Sequence, residues 1–301
     1  MNARILGTGL LAATSLTLSG ATSVHAHGFA GARFFPATLA TDDPFVADEW
    51  SFPTIAWLRD ADDIATTSYS LDFAKRITRD FALGISVGYL HLSAPGGPSV
   101  DGFDNISASA KYQLLVDPAR EAILAFGVDA DIGGTGAKRI GADQFSTITP
   151  AFFFGKGLGD LATPMNLLRP LAVTGSIGIA IPAGARPDDV APNTLRLGLA
   201  IEYSLTYLQS QVRDVGLRPP FDRMIPLVEI ALEKPLDSIS QKFSGTINPG
   251  VLWAGQYVQL GAEAQFPVNG SSGRGVGFVV QLHLYIDDLF PQTIGRPIFG
   301  A

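Results

Sequence analysis

The sequence predicts an all-β protein: an antiparallel, up-and-down transmembrane β-barrel of about twelve strands behind an N-terminal signal peptide. Three observations predict it. Apolar and polar residues alternate in segment after segment, as in 256–266, where Val258, Leu260, Ala262, Ala264 and Phe266 make one face and Tyr257, Gln259, Gly261, Glu263 and Gln265 the other. The connections between these segments are mostly short on one side and long on the other. The composition is apolar but punctuated, with 33 glycines in 301 residues and only 16% charged residues, against about 25% in soluble domains.

The leader comes first. Residues 1–26 carry one cation, Arg4, an apolar core over 5–18, and Val24-His25-Ala26 as a small-residue cleavage site. The core is short for a membrane anchor, which needs about 20 apolar residues, so the mature chain is expected to start at His27. Mean hydropathy is +0.24, yet no later stretch runs for about 18 apolar residues without a charge, which argues against transmembrane helices. Loss of Arg4 leaves 20 of the 21 Lys and Arg residues against 28 Asp and Glu, an acidic balance that excludes nucleic acid as a partner. With no cysteine, an exported chain has to draw stability from closed hydrogen bonding or a large core instead of disulfides.

Residues 27–48, rich in Phe, Pro and Asp and without period, read as an irregular N-terminal segment. The barrel is expected over 49–287. Its first strand, 50–59, is weakened by Pro53. Strand 68–77 sets Tyr69, Leu71 and Phe73 on one face, and only Thr78-Arg79-Asp80 separates it from 81–92, where Phe81, Leu83, Ile85, Val87 and Tyr89 oppose Ala82, Gly84, Ser86 and Gly88. Strand 105–115 alternates Ile106, Ala108, Ala110, Tyr112 and Leu114 with polar residues; 121–132 sets Leu124, Phe126, Val128 and Ile132 against Gly127, Asp129 and Asp131. Then come 144–154, ending in Phe152-Phe153-Phe154, and 171–181, 194–206, 224–233, 243–253, 256–266 and 276–287, twelve in all. An even number suits a bacterial barrel.

If the first strand runs outward, the long connections 93–103, 133–143, 182–193, 234–242 and 267–275 lie outside, and the short ones 78–80, 116–120 and 254–255 inside. The inner connections 155–170 and 207–223 break the rule and read as small periplasmic helices or as a miscount. Residues 288–301 form a C-terminal tail, with Tyr285 as a possible end of the last strand. A soluble β-sandwich or lipocalin-like barrel is the rival fold, but there the outer face would be charged, and here the apolar face requires lipid. Twelve strands enclose a thin channel or a plugged bore.

Inward parity assigns Asp72, Lys111, Asp129, Asp131, Arg196, Glu202, Glu229, Glu263, Gln281 and His283 as lumen-lining candidates. Charges of both signs there could line a selective path or pair into a polar plug. His91 and Ser93 share the outer face beside Asn105, a set that could activate a serine for acyl hydrolysis; it resembles the His-x-Ser motif of outer-membrane phospholipase A, although Ala94-Pro95 replaces that family's Asn-Gly and Asn105 has inward parity. The plainer account is a His and a Ser at a strand end in the interfacial belt. His27 could chelate copper only with a second ligand from His91 or His283; no metal or other cofactor is expected. Gly133–Lys138 lacks phosphate-loop spacing. The Asp pairs starting at Asp42, Asp62, Asp188 and Asp287 could bridge lipopolysaccharide phosphates through divalent cations, or simply be solvated.

The stretches HGFAGARFFPATLATDDPFVADE, INPGVLWAGQYVQLGAEAQFPVN and QLHLYIDDLFPQTIGRPIFG resemble proteobacterial outer-membrane barrels, similar to the transporter-like family named for the meta-pathway of phenol degradation. The resemblance spans nearly the whole mature chain and carries no catalytic motif. It implies a porin-like channel or transporter in the outer membrane of a Gram-negative bacterium, in contact with lipid and lipopolysaccharide, passing small solutes, aromatic or hydrophobic ones among them. A lipid-facing hydrolase and a plugged structural barrel are the alternatives.

Overall fold

The computed structural model describes residues 28–184, 192–237 and 242–300. The expected leader 1–26, His27 and the Asp188 pair lie outside these described residues. A two-residue hairpin, β1 (Phe29–Ala30) and β2 (Arg33–Phe34), opens the described chain. The wall follows as β3 (Glu49–Arg59), β4 (Ala65–Thr78), β5 (Phe81–Ser93), β6 (Val100–Phe103), β7 (Ile106–Asp117), β8 (Ala122–Ile132) and β9 (Ser146–Gly157). It is completed by β10 (Leu171–Ala183), β11 (Thr194–Tyr203), β12 (Met224–Pro235), β13 (Ser244–Ala254), β14 (Val258–Pro267) and β15 (Gly277–Tyr285).

All pairings in the wall are antiparallel between strands adjacent in sequence, with β5 meeting both β6 and β7, and β15 pairs back onto β3, so the sheet closes. β6 and β7 are two pieces of one stave, both paired to β5, so thirteen segments make twelve staves. The expected outer loop 93–103 is therefore shorter than its residues suggested. Four residues of β6 carry too little alternation to announce a strand, and the break at Asp104-Asn105 divides the stave. Pro53 is tolerated inside β3 because it falls where the register shifts, between Ser51 and Thr54, and owes the ladder no donor there. The expected strand 194–206 stops at Tyr203 because the Ser204 hydroxyl accepts the Tyr207 amide and caps a helical turn, Leu205–Tyr207. The long connections at this end of the barrel hold helical turns, Thr163–Leu168, Leu208–Val212 and Phe221–Arg223.

Side chains alternate between lipid and lumen. Leu83, Ile85, Phe152, Phe154, Ile177, Ile179, Leu260 and Phe278 stand exposed on the outside, while Phe153, between two outward phenylalanines, is buried inside. Among the described residues no helix is long and apolar enough to cross a membrane; the strands cross it instead, since a closed sheet leaves no unpaired edge in hydrocarbon.

A smaller apolar cluster, Ala125, Ala151 and Phe153, belongs to β8 and β9 alone, and most of the apolar core lies between the wall and residues 28–48. This segment enters the bore from the end where Gly31 meets Pro118, climbs to an apex near Thr41 and Asp42, and returns to start β3. Ala30, Phe35, Ala37, Phe45 and Ala47 pack on Ile123 and Ala172, and Phe34 and Leu39 on Ile225, Leu227 and Leu252. Three wall glycines give it room. A Cβ at Gly155 would lie 3.0 Å from Pro44, at Gly198 3.1 Å from Thr41, and at Gly261 2.6 Å from Leu39. Ile177→Arg puts a charge on the lipid face halfway along β10 and should lower the unfolding free energy in lipid vesicles by about 2–4 kcal/mol. An unchanged urea midpoint would contradict the lipid-facing assignment.

Candidate functional site

The site is the bore, and what occupies it is held at three levels. At the end carrying the helical turns, Arg33, 1% exposed, reaches the Glu121 carboxylate at 3.1 Å and donates to the carbonyls of Pro170 at 2.8 Å and Arg169 at 2.5 Å. The Tyr207 hydroxyl donates to the other Glu121 oxygen at 2.7 Å, and its ring lies 3.8 Å from the Arg33 guanidinium. Burial, followed by the Glu121 contact, raises the Tyr207 hydroxyl above its ordinary pKa, so it stays a donor. This buried pair has its partners in place, the condition under which a buried ion pair holds a structure together.

Halfway up, Glu229 accepts four bonds from the apex of the segment: Leu39 N at 2.7 Å, Ala40 N at 2.9 Å, Thr41 N at 2.6 Å and Thr41 Oγ1 at 2.8 Å. Gln259 Nε2 donates to the Ala37 carbonyl at 2.7 Å while its oxygen receives the Tyr285 hydroxyl at 2.9 Å. Lys111 donates to the Asp43 carbonyl at 2.9 Å and lies 4.6 Å from the Phe153 ring. Where the segment leaves the bore, Asp48 takes Lys75 at 2.6 Å and Arg76 Nε at 2.8 Å.

These anchors are lopsided. The segment leans on β8 to β14, and between it and the wall of β3, β4, β5, β7 and β15 a cavity of about 410 Å³ remains, lined by Asp72, Lys111, Asp129, Gln281 and His283 with Ser86, Ser107 and Ser109. A second cavity of about 220 Å³ above the apex is bordered by Asp42, Asp129, Asp131, Thr149 and Arg196. Both cations here are engaged, Lys111 with Asp43 and Arg196 with Glu233 at 3.1 Å. Asp131 accepts Ser107 Oγ at 2.5 Å, Gln281 donates to Thr54 at 3.1 Å, and His283 Nδ1 meets Ser51 Oγ at 2.8 Å. Of the ten candidates chosen by parity, seven thus border the cavities, and Glu202, Glu229 and Glu263 are buried against β11 to β14.

Parity could not find Arg33, Asp43, Asp48 or Glu121, because three lie in a segment without period and Glu121 precedes β8 with a left-handed φ of 49°. Two of the Asp pairs read as solvated loop acids or lipopolysaccharide bridges lie elsewhere: Asp42-Asp43 is at the apex inside the bore, and Asp287-Asp288 lies in the turn after β15 beside Arg76. Asp62-Asp63 does sit on an outer turn. The hydrolase set is not assembled. His91 is exposed on β5, paired in register with Thr67 and Asp101, and the Asn105 side chain holds the 133–145 connection by donating to Asp143 O at 2.9 Å and accepting Gly136 N at 2.8 Å. The Gly134 amide is likewise spent on Asp143 O, at 2.8 Å, so the Gly133–Lys138 run cradles no phosphate. Among the described residues no three His, Cys, Asp or Glu side chains converge as metal ligands.

No protein-family model matches this sequence, and no curated protein sequence does. Solved structures do. An outer-membrane channel from Pseudomonas putida F1 superposes with a TM-score of 0.54 at 12% identity, over 84% of this chain and 98% of that one. The β domain of the Bordetella autotransporter Brka gives 0.43 at 12% identity over 80% and 99%, and the translocator domain of the autotransporter NalP from Neisseria meningitidis 0.42 at 9% over 79% and 87%. The first of these likenesses and the closed sheet agree on the class: an antiparallel barrel of the bacterial outer-membrane type. Its strands cross the membrane with an apolar belt toward lipid and residues 28–48 in the bore.

Glu229→Ala removes the acceptor of three buried amides. Hydrogen exchange at Leu39 to Thr41 should accelerate strongly, with a loss of about 1–3 kcal/mol in stability. Exchange at wild-type rates would mean the segment is held by its apolar contacts alone.

Proposed function

We propose that the protein is an outer-membrane channel through which small polar solutes, cations preferred, diffuse along the crevice between the N-terminal segment and the β3–β7 wall. The observation that carries this reading is the crevice lining. Asp42, Asp72, Asp129 and Asp131 face the two cavities, while Lys111 and Arg196 are already neutralised by Asp43 and Glu233. A negative lining in a low-dielectric tube concentrates cations and repels anions. Serine and threonine hydroxyls fill the positions between the acids, which suits hydrated or hydroxylated solutes better than the aromatic or hydrophobic ones implied by the resemblance to the phenol-pathway barrels. That narrower kinship, like contact with lipopolysaccharide around the outer turns, belongs to the same proposal. The Pseudomonas putida likeness, itself described as a channel, supports it at the level of fold.

Purified protein in planar bilayers should give discrete conductance steps, and a salt gradient should give a reversal potential of cation-selective sign. Asp129→Asn combined with Asp42→Asn should move that potential toward zero without abolishing conductance. Deleting 28–47 should enlarge the steps several-fold. A protein that runs as a heat-modifiable barrel yet stays silent, with and without the deletion, would overturn the channel and leave a plugged structural barrel.

A further inference from the structure

Behind the apex of the segment, the wall buries three carboxyl groups: Glu202 on β11 is 2% exposed, Glu229 on β12 0%, and Glu263 on β14 4%. Among the described residues no Lys, Arg or His forms an ion pair with any of them. Two are accounted for by donors. Glu202 receives Thr174 Oγ1 at 3.1 Å, and Glu229 receives the four bonds from Leu39 to Thr41. Glu263 is met by Glu229 alone, with which its carboxyl group lies within hydrogen-bonding reach; no other donor reaches either of its oxygens among the described residues.

Glu263 is aimed at Glu229. The β13 residue opposite Glu263 is Gly250, and a Cβ there would lie 2.5 Å from Glu263 Cγ, so the missing side chain lets Glu263 lie across β13 toward β12, where Glu229 is its charged neighbour. Asn248 joins them from β13 itself. It is the register partner of Glu229, fully buried, and neither its amide nitrogen nor its carbonyl oxygen has a partner. An amide oxygen buried open beside two carboxylates makes a set of acceptors that is costly unless a cation or a proton completes it.

We propose that Glu229, Glu263 and Asn248 form a site for one hard divalent cation, fixed between the wall and the N-terminal segment. The donors are all oxygen, two carboxylates and an amide carbonyl, which selects calcium- or magnesium-type ions over transition metals. A dry, irregular site favours calcium, because magnesium keeps its waters and demands octahedral geometry. The ion neutralises the carboxylate pair and gives Asn248 Oδ1 a partner. Glu229 also caps Leu39 to Thr41, so the same ion ties the apex of the segment to the wall. The site stands whether or not the barrel conducts.

The test is equilibrium dialysis of the full-length, detergent-folded protein, stripped with chelator, against radiolabelled Ca²⁺, with barrel closure checked by heat-modifiable mobility. Wild type should bind one ion per chain in a saturable class. Glu263→Gln should weaken it by about 10–100-fold, Asn248→Leu should weaken it as well, Asn248→Asp should keep or tighten it, and Asp62→Asn on the outer turn should leave it unchanged. Absence of saturable binding in wild type overturns the proposal, as does equal binding in Glu263→Gln. If Glu263→Gln fails to fold, the opposed effects of Asp and Leu at 248 decide. A wild type that binds no Ca²⁺ but loses stability as pH rises, with Glu263→Gln insensitive to pH, would assign the pair a shared proton and sink the metal.

Discussion

Everything in this structure depends on β15 finding β3. An amide left unpaired in hydrocarbon costs several kcal/mol, so a twelve-stave sheet cannot stop at an edge, and once it closes the radius of the bore is set. Many inward residues are small: glycines at 155, 198 and 261, serines at 86, 107 and 109. They cannot fill that bore alone. The N-terminal segment supplies the volume, and Phe35 and Phe45 do in this barrel what a core residue does in a soluble domain. Closure thus dictates both the apolar outside and the need for an interior occupant.

The occupant is arranged by charge as much as by packing. On the β8–β14 side apolar packing is joined by satisfied polar contacts: Arg33 with Glu121, the apex amides with Glu229, the Ala37 carbonyl with Gln259. On the β3–β7 side only Lys111 with Asp43 and the Asp48 cluster reach across, and the space between them is acidic and hydroxyl-rich. This asymmetry divides the bore into a seat and a passage. The acids of the seat are buried against the wall, whereas those of the passage face open space, so residues of one chemical type serve two ends.

Alternation with period two made the wall legible in sequence because a strand between lipid and lumen has only two environments, and every residue must choose. It located Val258, Leu260 and Phe266 outside and Gln259 and Glu263 inside, and it sorted Phe153 from its two neighbours once the register was known. The same logic fails wherever a residue has more than two environments. Residues 28–48 touch a different wall strand every few positions, so they carry no period and read as irregular. Arg33 and Glu121 meet across 88 residues, and nothing in either neighbourhood announces the other. β6 escaped because four residues are too few to alternate. Asp42-Asp43 looked like a surface pair because composition cannot say which side of a barrel a loop occupies.

The seat also has a chronology. Glu229 grips Leu39, Ala40 and Thr41 across 188–190 residues, and Gln259 reaches Ala37 across 222, so the place where the segment docks is made from strands that arrive among the last. Contacts this distant in the chain form late, because loop closure precedes their reward. The segment that precedes the barrel in sequence is therefore the last part to find its home. Until the ring closes, Phe29, Phe34, Phe35 and Phe45 have no wall to pack on, and exposed aromatic surface of this kind invites aggregation. Only a correctly registered, fully closed wall presents Glu121, Glu229 and Gln259 at the spacing that lets the segment withdraw from solvent.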